Sequence, residues 1–139
     1  MPLAGITERD LELFNDSLER CARGPRFLER FYELFMASSP EVAEKFVNTD
    51  FRRQRRMLKI SLYMMMLAAE GKLEADLHLE RIARRHSRTE LRIRPELYDL
   101  WLECLLRAAR ESDPQFGAET ELAWRGILRR GIELMKAAY

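Results

Sequence analysis

A helical period runs through the whole sequence and restricts the fold to an all-α class. Apolar residues recur at spacings of three and four in successive segments, and no segment alternates apolar and polar residues long enough for a convincing strand. In the first segment, a capping-box pair precedes an apolar stripe made of Leu11, Phe14, Leu18 and Cys21. The period therefore predicts a protein built from helices.

Glycine and proline residues lie between the periodic segments, where helices begin or end. Gly24 and Pro25 separate the first two segments, Gly71 ends the longest one, and Pro95 opens another. A short turn is predicted from residue 39, where the sequence reads Ser-Pro-Glu. We expect six long helices and one short helical turn in a single domain over residues 1–139, a length sufficient for one buried core.

Composition argues against several classes of protein. Lys and Arg total 24 against 23 Asp and Glu, a near-balance that disfavours nucleic acid or an anionic membrane as the main partner. The longest apolar run, around residues 62–69, is far shorter than the roughly 20 residues of a membrane span. Residues 1–7 lack the pattern of a signal peptide. Cys21 and Cys104 are interpreted as buried free thiols, which predicts a cytoplasmic protein.

A histidine interrupts one of the apolar stripes. The predicted helix over about residues 74–88 places His86 on the same face as Leu79 and Ile82. A lone inward histidine is more often a core residue than a ligand, but arginines 84, 85 and 88 surround this one. A flat, apolar cofactor with carboxylates would need an iron ligand, apolar walls and cations at its rim.

Tyr32 is a second exception, because it lies among phenylalanines on a helix that should pack deeply. A buried tyrosine hydroxyl needs a hydrogen-bond partner. It either donates to a backbone carbonyl or acts as a donor directed into a pocket.

These positions belong to a longer pattern. Tyr32 lies eight residues before Pro40, Phe46 follows six later, and residues 82–86 and 93–98 read IARRH and IRPELY. Over roughly residues 7–138 the chain resembles bacterial single-domain globins and the globin half of flavohaemoglobins. The resemblance implies a globin fold packed around a haem pocket.

The resemblance also implies a cofactor and its ligands. His86 matches the residue that binds the iron of haem b (iron protoporphyrin IX), and Tyr32 and Gln54 match the distal residues that stabilise a bound gas. Because the loop before Gln54 is shorter than in flavohaemoglobins, Arg53 remains an alternative. The residues that the resemblance places around the cofactor are Phe46, Leu58, Ile82, Arg85, Ile93, Tyr98 and Trp101.

Three functions are compatible with this resemblance. The first is reversible binding of O2, and of NO or CO, at a His-ligated iron, for carrying, storing or sensing O2. The second is NO dioxygenation with an external reductase, but the glutamate that assists flavohaemoglobins falls on Tyr139 here, and Glu133 is too early. The third is a haem-free interaction module, which would not need His86. Whether the chain forms a homodimer stays open.

A basic run opens the long helix, formed by Arg52, Arg53, Arg55, Arg56 and Lys59. It is interpreted as a solvated face with one or two members near the haem propionates. No aromatic residues interleave it, so nucleic-acid binding is disfavoured.

Overall fold

Seven α-helices make up the fold over residues 2–139, the part of the chain that this computed structural model describes. In chain order they are α1 (Glu8–Ala22), α2 (Arg26–Ser38), α3 (Pro40–Lys45), α4 (Phe51–Ala69), α5 (Leu73–Arg85), α6 (Glu96–Ser112) and α7 (Ala118–Ala137). Residues 2–139 contain no strand, and the six long helices and one short helix confirm the expected fold class. No helix in this range combines the length and the apolar character needed to cross a membrane.

Local chemistry explains where several helices begin and end. Thr7 and Asp10 form the predicted capping box: the Thr7 Oγ1 accepts from the Asp10 N–H at 3.0 Å, and the Asp10 carboxylate accepts from the Thr7 N–H at 2.9 Å. Asp50 caps α4 by accepting from the Arg53 N–H at 3.3 Å. Gly71, just after α4, has a φ of +89°, which only glycine adopts without strain.

The helices cross in pairs around one apolar core. α2 packs against α6, α1 against α7, and α4 against both α5 and α7. Phe14 and Trp124 are fully buried at the α1–α7 crossing, with ring centroids 4.8 Å apart. At the α4–α7 crossing, Gly131 lets the backbone approach Met65 closely, since a Cβ there would lie 2.7 Å from the Met65 Cε.

One buried carboxylate ties the end of α6 to α1. The side chain of Asp113 has no solvent exposure and accepts hydrogen bonds from the Ser17 Oγ at 2.6 Å and the Arg20 Nε at 2.6 Å. The Arg20 Nη2 donates to it at 3.1 Å and the Gln115 N–H at 2.9 Å. The charge is therefore paired and its oxygens are satisfied, as burial requires.

Two details differ from expectation. The helix predicted to reach residue 88 ends at Arg85, because the following loop folds back and its N–H groups bond to the last carbonyls: Leu91 to Arg85 at 3.1 Å and Ile93 to His86 at 3.0 Å. Of the two free cysteines, Cys21 is buried as expected, but Cys104 is half-buried because its neighbour Leu105 occupies the inward position on α6.

Candidate functional site

The ring of His86 is held by its own helix. His86 caps the C-terminus of α5, and its Nδ1 lies 2.8 Å from the Ile82 carbonyl oxygen. Because a carbonyl only accepts, Nδ1 must carry the proton, and the neutral ring then presents a lone pair on Nε2. Among residues 2–139, Nε2 makes no hydrogen bond.

The surroundings of His86 favour this neutral form. Burial lowers the pKa of the imidazole, and the positive charge of Arg85 lowers it further. The hydrogen bond to Ile82 opposes them by raising the pKa, but the net shift is downward. A neutral imidazole with its other nitrogen bonded to a backbone carbonyl is the form in which histidine binds metal ions.

The loop after His86 is fastened to α3. Arg94 binds the Glu41 carboxylate through Nη2 at 2.6 Å and through Nε at 2.8 and 2.9 Å. The Lys45 Nζ donates to the Leu91 carbonyl at 3.2 Å. Two contacts from α3 therefore hold the loop that begins at His86.

Aromatic side chains of α2, of α4 and of Phe46, which follows α3, form a second group. Tyr32 is 4 % exposed, and its ring centroid lies 5.5 Å from that of Phe46, 5.5 Å from that of Phe51 and 4.8 Å from that of Phe31. Three phenylalanine rings therefore surround the Tyr32 ring with apolar surface.

Sequence reasoning missed Phe51. It lies three residues before Gln54 and seven before Leu58, so it shares their face of α4. That spacing, counted from the first residue after the N-cap Asp50, was the signal that could have identified it.

Tyr32 and Gln54 lie side by side. Burial raises the pKa of the Tyr32 hydroxyl to about 12, while hydrogen bonding with Gln54 and the charge of Arg55 act in the opposite direction. Gln54 is half-buried, whereas Arg53 is exposed on the outer side of α4. The phenol stays protonated near neutral pH, so it is available as a donor.

The remaining apolar residues of the predicted site belong to the hydrophobic core or pack against it. Leu58 and Tyr98 are both 8 % exposed, and Ile82, Ile93 and Trp101 are half-buried. The Trp101 ring is 6.2 Å from that of Phe31. Arg85 is exposed and forms no ion pair within the described part of the chain.

One of these residues carries an unsatisfied polar atom. The Tyr98 hydroxyl is buried and has no hydrogen-bond partner among residues 2–139. Burial also raises its pKa, which keeps it protonated. Buried hydroxyls are rarely left unpaired in proteins, so this atom marks a position where a ligand group could bind.

A comparison with solved structures finds a close match along nearly the whole chain. The match is a crystal structure of a Pseudomonas aeruginosa PAO1 protein, described as structurally highly homologous to a human haemoglobin. It has a TM-score of 0.90 and 39 % sequence identity, and the alignment covers 94 % of this chain and 98 % of that chain. No family model matches the chain, and neither does any curated protein.

Proposed function

The chain belongs to the globin family, and we propose that it binds haem b through His86 and reversibly binds O2 or another diatomic gas. The observation that carries this proposal is the tautomer of His86. Its Nδ1 donates to the Ile82 carbonyl at 2.8 Å and leaves the Nε2 lone pair available.

The residues present fit haem by their chemistry. The His86 nitrogen is a neutral donor in a half-buried position, which suits iron. The residues that the resemblance places around the cofactor are, apart from Arg85, apolar or aromatic, as a porphyrin requires. The orphaned Tyr98 hydroxyl supports the fit because a bound group could supply its missing partner.

Bound haem would supply an iron with one coordination position open to a gas. His86 would hold the iron through Nε2, and the Ile82 carbonyl would fix the ring and increase its basicity. Phe46, Leu58, Ile82, Ile93, Tyr98 and Trp101 would contact the porphyrin, and the unpaired Arg85 would attract its propionates.

On the distal side, the Tyr32 hydroxyl and the Gln54 amide would donate hydrogen bonds to the gas. Such bonds favour O2 over CO, because O2 draws more negative charge from iron than CO does. Each bond to a charged acceptor contributes about 1.5–3 kcal/mol. We therefore propose slow O2 release, which suits storage or sensing.

The cellular setting is part of the proposal. Both cysteines are free, as expected for a reducing compartment such as the cytoplasm. In such a compartment an external reductase could keep the iron ferrous. The Tyr98 hydroxyl has no acidic hydrogen-bond partner within residues 2–139. Its contacts therefore do not favour NO dioxygenation over gas binding.

An absorption spectrum tests haem binding directly. The apoprotein is titrated with haemin, reduced with dithionite and exposed to CO, beside His86→Ala and His78→Ala. His78 is the matched control, because it lies in α5, the helix that His86 caps, and is also half-buried.

Wild type and His78→Ala should give a Soret band and a five-coordinate ferrous spectrum that CO shifts. His86→Ala should bind haemin much more weakly and lose the histidine-ligated spectrum. Haem spectra that do not change in His86→Ala would overturn the assigned ligand. Absence of stoichiometric haemin binding by folded wild-type protein would overturn the function.

A further inference from the structure

A crevice of about 340 Å³ lies between the end of α1, the start of α2 and the outer side of α4. Its apolar lining consists of Leu18, Ala22, Gly24, Pro25, Phe27, Leu28 and Leu62. Its charged lining consists of Glu29, Arg55, Arg56 and Lys59. We name it the α1–α4 crevice; His86, Tyr32 and Gln54 do not line it, so it is separate from the candidate haem site.

The three cations of the crevice have no internal counter-charge. Arg55, Arg56 and Lys59 form no ion pair within residues 2–139, whereas most arginines on α6 and α7 do. Glu29 is the crevice's one carboxylate, and Arg26 already binds it at 3.1 Å. The cations are therefore available to an external anion.

Charge is also distributed unevenly along the chain. Residues 52–59 hold five of the 24 basic residues and no acidic one, which leaves 19 basic against 23 acidic residues elsewhere. The near-neutral total thus hides a positive segment on α4, and the crevice opens beside it. A local positive potential attracts anions even when the net charge is small.

We propose that the α1–α4 crevice binds a medium-chain fatty acid. The carboxylate pairs with Arg55, Arg56 and Lys59, and the tail lies against Ala22, Pro25 and Leu28, apolar lining side chains that are not buried. Arginine forks match carboxylate geometry, while apolar walls next to cations select an amphipathic anion over a small inorganic one. The volume lies near the lower end of the range for ligand pockets, about 300–1,000 Å³, which favours a medium-length chain.

This inference does not depend on haem, so the haem-free protein can be used to test it. Isothermal titration calorimetry at low ionic strength compares decanoate with decanol and acetate. Decanoate should bind at one site per chain. Decanol, which lacks the carboxylate, and acetate, which lacks the apolar tail, should each bind at least tenfold more weakly. Failure of the folded chain to bind decanoate at millimolar concentration would overturn the proposal.

Gly24→Leu tests the position of the tail. Gly24 lies in the crevice, a Cβ there meets nothing within 4 Å, and its backbone φ is not in the left-handed region. A leucine should therefore fit the fold and fill the crevice. Decanoate affinity should fall at least tenfold; an unchanged affinity would place the tail elsewhere.

A pair of charge variants tests the headgroup. Arg56→Gln with Lys59→Gln removes two exposed cations of the crevice, while Arg52→Gln with Arg53→Gln removes two exposed cations of the same helix that do not line it. Exposed ion pairs of this kind change affinity up to about fivefold each. The crevice pair should weaken decanoate binding about tenfold and the control pair less than twofold.

Equal losses of decanoate affinity in the two double variants would mean that α4 attracts the anion only through its overall positive charge. That result would overturn the site. Because all four positions are on the surface, both variants should fold. These two variants therefore test the proposal even if Gly24→Leu is unstable. Far-UV circular dichroism checks the fold of each variant.

Discussion

Replacing Tyr98 by phenylalanine should stabilise the haem-free protein. The side chain is 8 % exposed and its hydroxyl has no hydrogen-bond partner within residues 2–139. An unpaired buried polar group costs about 1–3 kcal/mol, and phenylalanine keeps the ring while removing that cost. Since the side chain is not fully excluded from solvent, we expect a value at the lower end of that range. The free energy of unfolding should rise by about 1 kcal/mol.

The same substitution should weaken haem binding. If haem supplies a partner for the Tyr98 hydroxyl, phenylalanine stabilises only the haem-free state. A ligand's apparent affinity falls by the amount that its free protein is stabilised relative to the bound one. A gain of about 1 kcal/mol confined to the haem-free state thus lowers haem affinity about fivefold.

Two measurements separate these effects. Urea denaturation of the haem-free protein gives the free energy of unfolding, and competition with apomyoglobin gives the relative haem affinity. Tyr63→Phe is the control, because Tyr63 is a half-buried tyrosine of α4 whose hydroxyl is not an orphaned buried atom. It should change either quantity by no more than about 0.5 kcal/mol.

The reasoning about Tyr98 fails if the variant destabilises the haem-free protein, because the hydroxyl would then be satisfied in solution. It also fails in its second part if the haem-free protein gains stability and haem affinity does not change. In that case the hydroxyl would be equally unpaired in both states.

Three other outcomes follow from the contacts described above. Tyr32→Phe should raise the O2 dissociation rate about tenfold or more in stopped-flow experiments and barely alter CO binding; equal effects on both gases would remove the hydroxyl from the distal role. Thr7→Ala should cost about 1 kcal/mol in urea denaturation, because both hydrogen bonds of its capping box are present; no measurable loss would mean that water replaces the cap. Asp113→Asn should cost about 3 kcal/mol at neutral pH, because it leaves the partly buried Arg20 without its counter-charge. Burial raises the pKa of Asp113, but hydrogen bonds, above all from Arg20, bring it below its ordinary value. A carboxyl whose pKa is lower in the folded state stabilises fully above its unfolded value of about 3.9, and this contribution disappears as pH falls through the folded value. The difference in thermal stability between wild type and variant should therefore narrow as pH falls below the unfolded value, and a difference that does not narrow in acid would contradict the assignment.

Much of the fold was predictable because helix signals are local. The capping box at Thr7, the N-cap at Asp50 and the glycine at position 71 each act within a few residues, and the structure places helix ends beside all three. The resemblance to globins was likewise carried by spacings along the chain. The likeness to a haemoglobin-like structure confirms the fold, while the ligand assignments remain predictions.

The end of α5 was not predictable in the same way. The residues after His86 continue a sequence that tolerates helix, so periodicity extends the helix to residue 88. In the structure the loop stops it, because the N–H of Ile93 bonds to the His86 carbonyl and Arg92 adopts a left-handed φ of 56°. A turn that depends on one residue in a rare conformation leaves no clear mark in composition.

The orientation of the proposed iron ligand depends on one contact within its own helix and on contacts between residues far apart in the sequence. The bond from His86 to Ile82 spans four residues and follows from any helix that ends there. The loop that leaves His86 is held instead by Arg94 on Glu41, 53 residues apart, and by Lys45 on Leu91, 46 residues apart. Hydrophobic periodicity cannot encode pairs so distant, because three of the partners are ordinary charged side chains and the fourth is the backbone carbonyl of Leu91. Residue type and spacing can therefore identify the ligand, but the backbone that aims it is set by contacts that exist only after α3 and the loop have come together.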